Sequence, residues 1–545
     1  MTSRTSPNGN PHHLPGPENT GCESTGPAST AADGSRTGRG GDPPGASAAT
    51  GGADTGPDDA GEKGQRTPPS DAGGAGAGSG RGGLVLLLAC GGSFVSLLDV
   101  TIANLAVPDL HRDFDGASVA DLTWVMSLYA IAFAALLAPA GRLADVVGRR
   151  RLYRVGITVF TVASAACAFA PNLTTLLIAR AVQGLGAAAL VPASLGIVLA
   201  QIPPARRAAA IGAWSASASL AAALGPGLGG VLVDLFGWRS VFLITVPIGL
   251  GLMFLTRVAG DSRSGERTPD LVGSALLAGG IGTLVLGVTQ GSAWHWGDFR
   301  TIGCIVGGLV LIGASVARAA RHPRPGLEVG LWRSRPYAYA NLVSFLFGML
   351  LYPWMLLGVL YLTQIWQYSE LRAGFAMTHG AVVSAIAGLL VGKYARLVNP
   401  RIAVIGGSLV LAVTALWIGL AVPEEPAFAS FWLPTGILLG IGMGAVSTGV
   451  SSAGALSVPP VKFAGATGLN LTARQIGGAL GIAALATILE REAGNGTDGF
   501  AQLFFMFTGL AVLTAVAGLG LAARPPVAPE PPQGTVVPVR EEISA

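Results

Sequence analysis

From Gly82 onward the chain alternates between long apolar runs and short polar stretches set with arginine. About fourteen runs reach the roughly 20 residues that a helix needs to cross a bilayer core. They fall at 82–105, 122–140, 152–170, 174–199, 209–233, 240–257, 271–290, 301–317, 338–362, 373–391, 402–421, 431–456, 464–489 and 500–522. The runs are apolar all round rather than along one stripe. That pattern predicts helices solvated by lipid, not the one-sided helices of a soluble bundle. The expected fold class is an all-α integral membrane protein.

The two ends read differently. Residues 1–81 are rich in Gly, Pro, Ser, Thr, Ala and Asp and almost devoid of large hydrophobes, and 523–545 are proline-rich. Neither segment has the apolar surface to offset the entropy of ordering, so both are expected to be disordered tails. The first thirty residues hold no apolar stretch with a cleavage site, so a secretory signal is not expected. Orientation follows from the loop cations. With the N-terminus inside, the outer loops carry Arg112, Arg239, Arg300, Arg372 and Arg491, and every other loop Lys and Arg from Arg142 to Lys462 is on the inner side. The positive-inside rule then puts both tails in the cytoplasm. An even number of spans is required to keep that bias.

Composition narrows the function classes. Over 545 residues, 50% are hydrophobic and only 12% charged, and the formal net charge is +4. The cations are dispersed through loops, without the basic face of a nucleic-acid binder. Cys22, Cys90, Cys167 and Cys304 are scattered, with no CxxC or Cys/His spacing for a disulfide framework or a metal. No nucleophile–His–acid set or HExxH run suggests an enzyme. No P-loop suggests ATP as the energy source, so none is expected beyond an ion gradient, and no cofactor.

Few ionisable groups lie inside the spans: Asp99 in the first, Arg180 in the fourth, Arg474 in the thirteenth, and His379 in the tenth. An ion at a helix centre costs about 2.5–3.5 kcal/mol on insertion scales, so each needs partners, water or a task. At 1.5 Å per residue, Asp99 lies about 13 Å inward from Pro108 and Arg180 about 12 Å inward from Asn172. At that common depth they can meet if their helices are neighbours. Such a pair is either a fixed salt bridge or a carboxylate that gains and loses a proton beside an arginine. Arg474 lies about 15 Å inside its span. It is open to the membrane potential, a substrate carboxylate or a helix carbonyl. His379 is either a proton carrier or a packing residue. Trp354 and Tyr361, with Tyr352 and Trp366, either line an aromatic pocket or belong to an interfacial belt.

Glycine and proline mark two further helices. Gly225, Pro226, Gly227, Gly229 and Gly230 crowd the fifth span, and Gly436, Gly440 and Gly444 recur in the twelfth. Small residues four apart let helices pack closely, and Pro226 frees a carbonyl at which a helix can bend.

Five motifs in order give these features a family resemblance. GRLADVVGRRR (141–151), with Gly141, Asp145, Gly148, Arg149 and Arg150, resembles the hallmark loop between spans two and three of the major facilitator superfamily. LIARAVQGLGAA holds Arg180, Gln183, Gly184 and Gly186 and resembles that superfamily's fourth-helix motif, tied to proton coupling. LGPGLGGVL resembles its fifth-helix export motif. LLDVTIANLAVP, with Asp99, Thr101, Asn104 and Pro108, and GWRSVFLITVPIG resemble the first and sixth helices of its fourteen-helix drug:proton antiporter branch.

The resemblance implies a six-helix bundle over 82–257, two inserted helices within 258–325 and a second six-helix bundle over 326–522. It also implies that Asp145 closes a cytoplasmic gate against the N-terminal end of the thirteenth helix. Asp99, Arg180, Gln183 and Asn104 are the implied proton-coupling residues. Gly225, Pro226, Gly229 and Gly230 are the implied bend, and Arg474, His379, Trp354 and Tyr361 are candidates for a substrate cavity. Departures are Thr245 for an Asn, Ser240 for a Trp, Ala221 for a Gly and His379 for a Pro. GKYARLVNPR (392–401) resembles a decayed second hallmark loop, with Arg396 where an acid would lie.

The expected function is proton-driven export of small hydrophobic or cationic compounds, including antibiotics, across the bacterial cytoplasmic membrane. A proton-coupled importer or facilitator on the same fold is the alternative. The expected partners are the bilayer, the small-molecule substrate and protons, with the chain acting as a monomer and no nucleic acid involved.

Overall fold

A computed structural model describes residues 74–114, 119–260, 269–491 and 497–522. Of the expected tails, 1–73 and 523–545 lie outside the described residues. The helices of bilayer scale are α1 (Gly74–Ala103), α2 (Val119–Val147), α3 (Arg149–Ala168), α4 (Leu173–Gln201), α5 (Arg207–Phe236), α6 (Arg239–Leu255, in two pieces), α7 (Leu271–Thr289) and α8 (Phe299–Arg321). They continue as α9 (Arg335–Gln364), α10 (Glu370–Lys393), α11 (Pro400–Leu420), α12 (Leu433–Leu456), α13 (Phe463–Arg491) and α14 (Asp498–Gly518).

Among the described residues, twelve helical segments are long and apolar enough to cross a membrane. The two expected spans outside that twelve are α3, whose first turns read RRRLYR, and α6, which is short. Both are helical and fall in sequence with the others. One boundary is corrected. α1 starts at Gly74, ahead of the 1–81 limit expected for the tail. Helix propagates one hydrogen bond at a time from an established nucleus, so the apolar span carries the glycine–alanine run before it into the helix.

Local chemistry sets the ends. Asn172 caps α4 by accepting from Thr175 N at 2.9 Å, and Asn399 caps α11 from Ile402 N at 2.9 Å, with Pro400 opening the helix. A side-chain acceptor satisfies an otherwise orphaned amide, and proline at the first position loses nothing. Between α2 and α3 the chain turns on one residue, Gly148, at φ 118°. A side chain there would be strained.

The packing repeats with a shift of eight helices. In the first half α1 packs on α5, α2 on α4 and α3 on α4; in the second, α9 packs on α13, α10 on α12 and α11 on α12. The halves meet through two pairs, α5 with α10 and α2 with α13, which the same shift interchanges. That is the arrangement of two parallel repeats about an axis along the membrane normal. Small residues permit the approach: a Cβ on Gly212 of α5 would lie 2.7 Å from Gly388 O and 2.9 Å from Gly392 Cα of α10. Large exposed side chains such as Val310, Val413 and Leu420 face outward, as a lipid solvent requires.

The helices α7 and α8 form a hairpin closed at one end by Arg318 on Asp270, at 2.5 and 3.0 Å. Through Leu277, Ile281 and Val285, α7 joins a buried cluster with Ala134 and Ala138 of α2 and Ala479 and Ala483 of α13. The inserted pair therefore rests on one helix from each half. Hydrogen bonds from Arg318 hold the Asp270 carboxyl below the usual carboxylate range. A lowered folded-state pKa stabilises above the unfolded value, near 3.9, and is lost as pH falls through the folded value. Asp270→Asn should lower the melting temperature of the detergent-solubilised protein at pH 7. The gap to wild type should begin to close only below about pH 4, as followed by tryptophan fluorescence.

Candidate functional site

Asp99 of α1 and Arg180 of α4 face each other deep in the first half, 0% and 1% exposed. Arg180 Nη1 donates to Asp99 Oδ2 at 2.6 Å, and Gln183 Nε2, one helical turn on, donates to Asp99 Oδ1 at 2.7 Å. Both carboxylate oxygens are thus occupied. Arg180 has other supports: Nη1 to Gln183 Oε1 at 2.6 Å, Nε to Val125 O at 3.0 Å, and the Tyr129 ring 4.4 Å below its guanidinium. Gln183 also donates to Ser164 Oγ at 3.1 Å, and Ser164 shares a 2.6 Å bond with Thr245 of α6.

The arginine keeps an amide oxygen, a carbonyl and an aromatic face whether or not Asp99 is charged. Those groups keep the guanidinium hydrogen-bonded, while Asp99 is its ion partner among the described residues. Asn104 stands apart, exposed in the 3₁₀ turn Asn104–Ala106 beyond α1. Tyr129, Ser164 and Thr245 were absent from the sequence-derived set. Thr245 had a visible signal, since it is a polar residue in an otherwise apolar sixth span.

A second constellation closes the arginine-rich face. Asp145 Oδ1 accepts from Arg149 Nη2 at 2.7 Å, Arg149 Nε at 2.9 Å and Ala464 N at 3.2 Å, while Oδ2 accepts from Gly465 N at 2.7 Å. Ala464 and Gly465 open α13, so a carboxylate of one half sits on the positive end of a helix of the other. Such a placement is favourable by about 0.3–1 kcal/mol, and more when buried. Arg149 reaches on to Gly196 O at 3.2 Å and Pro460 O at 2.5 Å. Gly141 abuts the backbone of Ala464 so closely that a Cβ would collide. Gly148 turns the chain so that Asp145 and Arg149 lie side by side. Arg150 is half-buried and makes none of these contacts, and Arg396 is exposed.

Glu328, in the connection from α8 to α9, completes this face. Its Oε1 pairs with Arg142 Nη1 of α2 at 2.8 Å, and its Oε2 pairs with Lys462 Nζ ahead of α13. The sequence reading missed it. The signal was the same as for Asp145, a lone acid in an arginine-rich loop, here RHPRPGLEVGLWRSR.

The fifth-span glycines serve both neighbours of α5. Gly225 faces Thr101 and Gly229 faces Leu105 and Ile102 of α1; Pro226 meets Gly374 and Gly230 meets Leu371 of α10. Of the four candidate cavity residues, Trp354 and Tyr361 share one aromatic cluster through Trp432, and among the described residues no ring contact or hydrogen bond joins them to His379 or Arg474. Tyr361 is 1% exposed, its ring 5.6 Å from Trp432 and 5.5 Å from both Trp366 and Phe500, and Trp354 packs on Trp432 and Phe504. These rings fill the second-half core. His379 packs over Gly436, its ring 5.9 Å from that of Phe428, with no hydrogen-bond partner at either nitrogen among the described residues. Arg474 lies between α9, α12 and α13, near Ser344 and Ser451.

This fold, with a buried ion pair in one half and a carboxylate clasp between halves, defines a class of secondary transporter, and similarity to known proteins agrees. The Major Facilitator Superfamily profile matches residues 89–482. The chain is 34% identical over 452 residues to the cephamycin export protein CmcT of Amycolatopsis lactamdurans, covering 82% of this chain and 92% of that protein. It is 33% identical over 410 residues to the multidrug resistance protein Stp of Mycobacterium tuberculosis, covering 74% and 76%. It is 32% identical over 426 residues to the tetracenomycin C resistance and export protein of Streptomyces glaucescens, covering 75% and 76%. The human organic anion transporter MFSD10 shares the fold at a TM-score of 0.59 and 18% identity, covering 80% of this chain and 99% of that one. The chain belongs to the Major Facilitator Superfamily, in its drug:proton antiporter family.

If Glu328 helps hold the arginine-rich face shut, Glu328→Gln should loosen it. On a background with the native cysteines changed to serine, Leu469→Cys near this cluster should then react faster with a small maleimide in detergent. An unchanged rate would assign Glu328 no part in the closure.

Proposed function

We propose that this protein exports small, hydrophobic or cationic drug-like compounds from a bacterial cell by alternating access, driven by inward proton movement. The observation that carries the coupling is the Asp99 site. A buried carboxylate there has both oxygens bonded, beside a cation whose other partners outlast its loss of charge. Protonation removes the Coulomb attraction of Arg180 for Asp99 and leaves the arginine held by Gln183, Val125 O and Tyr129. Helix α1 is then freer to move against α4. The Gly225–Gly230 stretch, wedged between α1 and α10, passes that freedom to the contact between halves.

The arginine-rich face is the cytoplasmic one in this reading, by the positive-inside rule. Asp145, Arg149 and Glu328 are its gate, closed in this conformation. Both termini are cytoplasmic, the chain works as a monomer, and its energy comes from the proton gradient with no cofactor. Export is supported by the relatives that are named as resistance and export proteins.

Asp99→Asn should abolish drug tolerance in a sensitive host while leaving the amount of protein in the membrane unchanged. In everted vesicles, wild type should accumulate substrate when the interior is acidified and stop when an ionophore collapses the proton gradient. Full activity in the mutant would reject Asp99 as the coupling residue; accumulation insensitive to the ionophore would reject proton coupling.

A further inference from the structure

The two halves carry unequal charge at the level of the bilayer centre. Asp99 and Arg180 neutralise each other. Arg474 of α13 is 7% exposed and has no carboxylate within ion-pair distance among the described residues. Its Nε donates to Ser344 Oγ at 3.4 Å and its Nη2 to Ser451 Oγ at 3.3 Å, both at the long limit of a hydrogen bond. Ser344 Oγ in turn donates to Asn470 O at 2.8 Å. The guanidinium lies 5.4 Å from the Phe347 ring, and Nη1 has no hydrogen-bond partner among the described residues. Arg180, equally buried, has short bonds on every side that matters. Arg474 has a donor fork with little to hold.

The surroundings connect this fork to the ion pair of the first half. Tyr352 of α9 bonds Gln475, the next residue along α13, and interacts electrostatically with Arg474. It interacts also with Tyr129 of α2, whose ring lies under Arg180. Tyr129 and Tyr352 thus link the closed, neutral set in the first half to the open cation in the second. A positively charged ligand between the two tyrosines meets net repulsion. A carboxylate or ionised phenol meets a planar fork of matching geometry in a medium that strengthens the pair.

We propose that Arg474 receives the acidic group of the transported compound, so that the exported compounds are apolar organic acids rather than cations. This rests on the export reading above and narrows its substrate class. An acid leaving as its anion and a proton entering both move positive charge inward, so the membrane potential assists each.

The test uses a sensitive host carrying wild type, Asp99→Asn, Arg474→Gln or Arg474→Lys, with membrane abundance and detergent melting temperature checked for each. Cells are challenged with apolar antibiotics divided into carboxylic or enolic acids and amines of similar size. The expected result is tolerance to acids that requires Asp99, falls about tenfold or more in Arg474→Gln and is partly kept in Arg474→Lys. A readout that needs no variant compares wild-type transport in proteoliposomes of the exported acid and its methyl ester, and the ester should be carried poorly. Asp99-dependent tolerance confined to amines, full tolerance to acids in Arg474→Gln, or equal transport of acid and ester overturns the assignment. If no compound shows Asp99-dependent tolerance, it is the export reading that fails, and this assignment with it.

Discussion

An ion inside a bilayer has no solvent to fall back on, and the rest of this structure follows from where its few ions find partners. Asp99 and Arg180 meet because α1 and α4 pack together, and α4 in turn organises α2 and α3 around itself. Gln183, Ser164 and Thr245 extend the pair into a polar thread running from α1 through α4 and α3 to α6. Hydrogen bonds in such a medium are strong when complete and expensive when broken. The thread therefore does more than neutralise a charge: with Tyr153 of α3 donating to Leu88 O of α1 at 2.7 Å, it fixes the relative rotation of four helices.

The contact between halves obeys a different rule. Along α5 and α10 it is made by close fit at glycines and a proline, with hydrogen bonds from Thr378 to Ala223 O and between Ser219 and Ser384, both at 3.2 Å. At the arginine-rich face it is made by charge: a carboxylate on a helix start, and a glutamate shared by an arginine and a lysine. Packed small residues allow two surfaces to rock, while charged clasps give discrete closed and open states. The inserted hairpin belongs to this arrangement. It lies on α2 and α13, one helix from each half, and the chain leaving it supplies Glu328. At this face the connection from the insert brings in a carboxylate that pairs with a cation of each half.

The two sites differed in how far they could be read in advance. Asp99 and Arg180 could be paired by depth because the rise of a helix is constant and the bilayer fixes its origin. Asp145 stood out as an acid among arginines. Glu328 stood in the same kind of setting but on a connection without a periodic pattern, so nothing in the sequence said which helix ends it would reach. Thr245 read as a loss relative to relatives of this fold, yet its hydroxyl is a link in the polar thread. Trp354 and Tyr361 read as cavity or belt residues, whereas their rings interlock with Trp432 in the core. Aromatic side chains have the same composition in all three settings, and only their neighbours distinguish them.

The sequence by itself determined the solvent, the order of the helices, the charge bias of the loops and the ions that needed partners. All of these depend on composition and on distance along one chain. Tertiary structure alone decided which ions became satisfied. Arg180 has a full set of partners and Arg474 does not, although both are arginines at similar depth in apolar helices. The difference lies in whether a neighbouring helix presents a carboxylate or a serine at that height, a matter of helix rotation and packing that no single span encodes.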